Sequence, residues 1–117
     1  MTVGPSFLDF AQATLDLRTQ RESLIAANVA NADTPGYKAV DIDFAQDLQT
    51  ALSGGPHAGK TMFLHAFPVG LDGNDVSLTA EKTESLANMQ AMTAEATFLH
   101  QSATDLITAL RPNPNGI

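Results

Sequence analysis

The sequence predicts a mainly α protein. Two long amphipathic helices, near the two ends of the chain, form a coiled-coil-type hairpin joined by an extended, loop-rich middle with a short strand pair. Three observations predict it. Residues 6–32 and 77–111 place apolar side chains at helical rather than strand spacing. Aromatic residues are only 6% of the 117, with no Trp and one Tyr, so the apolar material is mostly Ala and Leu with some Met, which favours helix. Glycine and proline gather between the two periodic segments. Residues 1–117 are read as one domain: helix 6–32, elbow, extended segment and loop 33–76, helix 77–111 and tail 112–117.

In the first helix Ser6 suits an N-cap, and Asp9 three residues on completes an acidic capping box. Leu17, Leu24 and Asn31 recur every seven residues, with Arg21 and Asn28 between them. Leu8, Ala11 and Leu15 begin a second stripe that resumes at Ile25 and Val29. Two overlapping stripes predict a helix with more than one neighbour. Thr34-Pro35 ends it, because the residue before proline is pushed out of the α region. Pro35 and Gly36 suit the central positions of a type II turn, Gly36 taking positive φ.

After the turn, Val40, Ile42 and Phe44 alternate with Asp41 and Asp43, as in a short strand with one apolar face. A brief helix fits Phe44 to Leu52. Residues 53–75 read as a long loop of the kind that carries function or motion, with a short strand or hairpin around TMFLHAF, residues 61–67. The second long helix begins at Ser77 or Thr79 and is stopped by Pro112. Within it Met89, Met92, Ala96, Leu99, Ala103, Leu106 and Leu110 follow 3-4-3-4-3-4 spacing, the seam of a coiled coil, with Leu86 extending it. The spacing leaves open whether the seam closes on a helix of the same chain or of a neighbour. Two helices and few large apolar residues between them make a chain that is marginal alone.

Composition excludes several functions. A net charge of −7 repels phosphate backbones and anionic lipid, so neither nucleic acid nor membrane is expected as a partner. There is no cysteine, hence no disulfide or thiolate metal site. No apolar run reaches the length of a membrane span, and MTVGPSFLDFAQ has no basic start before an apolar core, so no cleaved secretory signal is expected. Residues 54–61, GGPHAGKT, match G-x-x-x-x-G-K-[ST] at Gly54, Gly59, Lys60 and Thr61. A phosphate-binding loop needs a buried strand before it and a helix after it, and the flanking sequence offers neither, so a flexible loop is the better reading and a small nucleotide-binding protein the alternative. His57, His65 and His100 lack metal-ligand spacing, and Asp41 and Asp43 read as the wet face of the strand. No catalytic motif, cofactor, metal site or small-molecule substrate is expected. A stand-alone helical-hairpin adaptor remains a further alternative.

One stretch carries more. LRTQRESLIAANVANADTPGYKAVDIDF, residues 17–44, resembles the N-terminal signature of bacterial flagellar rod and hook proteins, in which a helix leads into an A-x-N-x-A-N-x-x-T-x-G-[YF]-[KR] turn. Ala26-Ala27-Asn28, Ala30-Asn31, Thr34, Gly36, Tyr37 and Lys38 fill those places, and Asp33 to Phe44 is most similar to the proximal rod members. DGNDVSLTAEKTESLANMQ resembles the family's lead-in to a terminal helix, with Lys82 where the family has Met. The resemblance implies a structural rod subunit, exported unfolded without a cleaved signal and located in the basal-body rod that crosses the periplasm. It implies self-association and contact with other rod subunits (FlgC-, FlgF- and FlgG-like), a FliE-type adaptor and the MS ring or export gate. Carried onto this chain, the assembly interface is expected at Leu17, Leu24, Met89, Met92, Leu99 and Leu106. The elbow is expected at Asn28, Asn31, Thr34, Pro35, Gly36 and Tyr37. An export-gate signal would be Phe44 with Leu48.

Overall fold

The computed structural model describes residues 6–64 and 67–112; His65 and tail residues 113–117 lie outside them. Helix α1 spans Phe7–Ala30, strand β1 Val40–Ile42, helix α2 Phe44–Leu52, strand β2 Thr61–Phe63 and helix α3 Leu78–Leu110. The protein is thus mainly helical, with long first and last helices and a short strand pair, as expected. The brief helix expected after the extended segment is α2.

Each helix begins where a side chain takes up orphan amides. Ser6 Oγ accepts from Asp9 N, and the Asp9 carboxylate accepts from Ser6 N in return, so the capping box is complete. Asp43 accepts from Gln46 N to start α2, and Ser77 accepts from Ala80 N to start α3. β1 and β2 pair antiparallel in the register Val40 to Phe63, Asp41 to Met62 and Ile42 to Thr61.

α1 and α3 run antiparallel. Asn28 meets Glu81 at one end, Arg18 meets Glu95 further along, and the Phe7 ring stands edge-on to Phe98 at 5.2 Å. The molecule measures 74 × 32 × 16 Å. α2 lies across α1, with the Arg18 guanidinium 4.1 Å above the Phe44 ring. The buried apolar residues are Ala11, Ala13, Leu17 and Ile25 from α1, with Ala39, Ile42 and Ala51. Four of these seven are alanine, so apolar burial inside one subunit is small.

Within one copy, the face of α3 turned to α1 is not the apolar stripe that the spacing picks out. Along α3 the buried or half-buried positions are Ala80, Glu81, Ser85, Asn88, Ala91, Met92, Glu95, Leu99 and Ser102. With the small Ala80 and Ala91 as flanks, the other seven follow 4-3-4-3-4-3 spacing, and five of those seven are polar. Of the seven apolar positions expected to close a seam, only Met92 and Leu99 lie on it; Met89, Ala96, Ala103, Leu106 and Leu110 are exposed. The cause lies on α1, which offers Arg18, Glu22 and Asn28 to this face and so selects a polar partner stripe.

Candidate functional site

The residues of the expected elbow come together in one hydrogen-bonded knot. Thr34–Tyr37 form the turn, Tyr37 N donating to Thr34 O at 3.2 Å, and Gly36 takes φ 76°. Asn31 caps α1 at its C-terminal end. Its Nδ2 donates to Ala27 O at 2.8 Å, and its Oδ1 accepts from the Thr34 hydroxyl at 3.0 Å. The amide therefore takes an orphan helix carbonyl and the turn together.

Asn28 does something else. It is 1% exposed, and its carboxamide pairs with both backbone groups of Val40: Nδ2 donates to Val40 O at 2.8 Å, and Val40 N donates to Oδ1 at 3.0 Å. One side chain thus stands in for a neighbouring strand along the edge of β1. The same Nδ2 reaches Glu81 Oε1 at 3.1 Å, and the Tyr37 hydroxyl donates to Oδ1 at 3.1 Å. Asn28 therefore joins α1, the elbow, β1 and α3 at a single point.

A second segment ties the knot from below. Asn74 Nδ2 donates to Asn31 O and Thr34 O, both at 2.8 Å; Gly36 N donates to Asp72 O at 2.8 Å. Ala39 N donates to the Asp75 carboxylate at 2.6 Å, and the Lys38 ammonium reaches Gly73 O. Gly73, at φ 84°, lies so close that a Cβ there would meet Gly36 Cα at 3.2 Å.

The electrostatics around Glu81 are crowded. Arg21 bridges Asp41 and Glu84 at 3.1 and 3.2 Å. Burial raises the Glu81 carboxyl above its ordinary value; the charges of Asp41 and Glu84 add to this, while the Asn28 hydrogen bond and Arg21 oppose it. Burial likewise raises the Tyr37 phenol, helped by Glu81 and Asp75. Among the described residues no group of three or more His, Cys, Asp or Glu could hold a metal, and no helix is long and apolar enough to cross a membrane.

The GGPHAGKT stretch sits after a helix and runs into a strand, the reverse of a phosphate-binding loop. Gly59 is held by Gln20, whose Oε1 accepts from its N–H at 2.5 Å while Nε2 donates to its carbonyl at 2.6 Å. Its amide is thus already engaged, and His57 Nδ1 lies 3.0 Å from Asp16. The loop is stapled to α1.

The expected interface residues divide. Leu17 is fully buried inside the subunit, Leu24, Met92 and Leu99 are half-buried, and Met89 and Leu106 are exposed on α3. Phe44 and Leu48 are half-buried on α2. The sequence reading missed the structural parts of Asn74, Asp75, Glu81 and Asn88. The Gly-Asn-Asp run just before the Ser77 N-cap, with its turn-forming side chains, was the available signal.

Comparison with known sequences puts this long-helix chain in the class of flagellar basal-body rod proteins. The family model described as flagella basal body rod protein matches residues 8–38, which carry α1 and the turn. The chain is 38% identical to the flagellar basal body rod protein FlgB of Salmonella typhimurium, across 69% of this chain and 75% of that one. It is 34% identical to FlgB of Cereibacter sphaeroides (86% and 90%) and 32% identical to that of Yersinia ruckeri (89% and 93%). The chain belongs to the FlgB family of flagellar basal body rod proteins. It is a structural subunit of the proximal rod of the basal body, and not an enzyme.

Proposed function

We propose that this rod subunit acts by shared packing. The two long helices of each copy complete a coiled-coil layer with those of its neighbours, and the elbow sets the angle at which the chain leaves that layer. The observation that supports this is the outward stripe of α3: Met89 is 54% and Leu106 53% exposed, while the inward face is polar. Apolar side chains at seam spacing find their stability against another helix. In this reading Met89 and Leu106 make the contact, with Leu24, Met92 and Leu99 at its margin, and Leu17 holds α1 to its own subunit. Asn28, Asn31, Thr34, Pro35, Gly36 and Tyr37 fix the elbow.

Neighbours in the periplasm-crossing drive-shaft are other rod subunits of the FlgC, FlgF and FlgG types, a FliE-type adaptor, and the MS ring or export gate. The chain reaches them unfolded and with no cleaved signal. Phe44 and Leu48 serve as the gate signal and are legible only before folding, since Phe44 then lies under Arg18. The test is replacement of the wild-type subunit by Asn31→Leu in a swimming cell. The variant loses the bonds to Ala27 and Thr34 but keeps helix-compatible bulk, so helix content stays while rods and motility fall. Unchanged rods and swimming would refute the role given to the elbow.

A further inference from the structure

We propose that Glu81 is a proton-operated latch between α1 and α3. Neutral, it stays in the joint against Asn28. Ionised, it turns out to solvent, which breaks the bond between Asn28 and α3 and opens the wall between two hollows.

The hollows lie on either side of this side chain. On one side the last turns of α1 and the first turns of α3 enclose an open groove of about 560 Å³, whose lining includes Glu22, Lys82 and Ser85. On the other is a smaller, more enclosed cavity of about 200 Å³, lined by Arg21, Asp41, Leu64, Phe67, Ala80 and Glu84. Glu81 and Ile25 line both, so these two side chains are the wall between them.

A carboxylate is poorly served in that wall. Glu81 is 6% exposed, and among the described residues its one side-chain hydrogen bond comes from Asn28 Nδ2 at 3.1 Å, a donor shared with Val40 O. Arg21 gives its hydrogen bonds to Asp41 and Glu84 instead. The groups around Glu81 are Arg21 and Glu22 from α1, Asp41 from β1, and Lys82 and Glu84 from α3. The elbow adds the Tyr37 phenol, with Asp75 beside it, and the loop after β2 adds only Leu64 and Phe67 among the described residues. Carboxylates outnumber cations there, and a buried ion with one donor is costly where its neutral form is not. Burial, Asp41 and Glu84 accordingly hold the proton on above the ordinary value of 4.5.

Turned out, the ion loses little. Glu81 belongs to the first turn of α3, where the helix dipole favours negative charge, and a rotation into the groove reaches water without leaving that turn. Asn28 keeps both bonds to Val40, so the elbow and β1 stay tied to α1 while α3 is let go. The closed form holds a proton that the open form releases. The ratio of open to closed therefore rises with pH, by up to about tenfold per unit, from the ordinary value to the raised one. Acid locks the joint.

The chain has no cysteine, so a single introduced thiol reports on the cavity. Ala80→Cys is placed in the full-length chain with Glu81 and with Glu81→Gln, which keeps the acceptor for Asn28. Both are labelled with a neutral thiol reagent across about pH 4.5–7.5, and the ratio of the two rates cancels the ordinary ionisation of the thiol. That ratio is expected to rise several-fold with pH and then level. A flat ratio would overturn the latch. So would a falling one, which is what the Glu81 charge alone would give by keeping the thiol protonated. In the wild-type chain the side-chain amide resonance of Asn28 is expected to titrate with a midpoint above 4.5, and one indifferent to pH would overturn the latch without any variant.

Discussion

Replacing Asn28 with alanine removes four hydrogen bonds at one buried point. Val40 loses the partners of its N–H and carbonyl at 3.0 and 2.8 Å; Glu81 Oε1 and the Tyr37 hydroxyl lose theirs at 3.1 Å each. The two Val40 groups have no other strand on that edge, since β2 is the sole partner of β1 among the described residues. A buried polar group left unpaired costs about 1–3 kcal/mol, and such costs overlap within one network. Taken together, Asn28→Ala is expected to cost about 3–5 kcal/mol. That is a large share of the ~5–15 kcal/mol that holds a small domain.

The assay is urea unfolding followed by helix ellipticity and by tyrosine emission. Tyr37 is the one tyrosine in a chain without tryptophan, so its emission reads the elbow directly. At about 2 kcal/mol per molar urea, the midpoint falls by roughly 2 M. Tyr37→Phe removes one bond and costs about 1 kcal/mol, and the double variant costs less than the two added. A midpoint shift of less than ~0.5 M for Asn28→Ala would refute the claim that this carboxamide serves as a strand.

Glu81→Gln keeps the acceptor for Asn28 and removes the charge. The folded protein holds the Glu81 proton more tightly than the unfolded chain, so its contribution is fully present below the ordinary value of 4.5 and is lost as pH rises through the raised one. The difference in melting temperature between Glu81→Gln and wild type therefore grows in favour of the variant as pH rises from that value towards neutrality; a constant difference would refute the account. Gly73→Ala and Gly36→Ala both force a side chain into the left-handed region, at about 1–2 kcal/mol. Only the Cβ at 73 also meets backbone, at 3.2 Å from Gly36 Cα, so Gly73→Ala gives the lower urea midpoint, and equal midpoints would refute the close approach. Calorimetric titration with Mg-ATP gives no binding heat, because the Gly59 amide is already bonded to Gln20; saturable heat abolished by Lys60→Ala would revive the nucleotide-binding reading.

What the sequence made legible was local. Ser6 and Ser77 announced two helix starts because capping is decided within four residues, and Thr34-Pro35-Gly36 announced the turn because proline and glycine restrict it by themselves; Asp43, read as the wet face of the strand, is in the structure the N-cap of α2. The elbow residues were legible as a group, and the structure joins them. Their partners were not. Asn74 reaches Asn31 across 43 residues and Glu81 reaches Asn28 across 53, and no periodicity carries that information. On α3 the pattern left the partner of the seam open: spacing identifies the most apolar face of a helix, and inside one copy that face is not the one used.

That mismatch is the most informative feature of the molecule. Asn88, 2% exposed, donates to Arg18 O and Glu22 across the seam, yet among the described residues its own Oδ1 has no partner, and neither does Glu95 Oε2. An orphaned buried oxygen costs stability, so the pairing of α1 with α3 is weaker than an apolar seam of equal length. It is also exacting: sliding α3 by one turn would strand the Asn88 amide and part Glu81 from Asn28 together. A hairpin built in this way has a definite register and little to spare in energy. Under the shared-packing proposal, the apolar stripe it leaves outside contributes more to an assembly than to the single copy, and the stability of each subunit becomes a property of its neighbours.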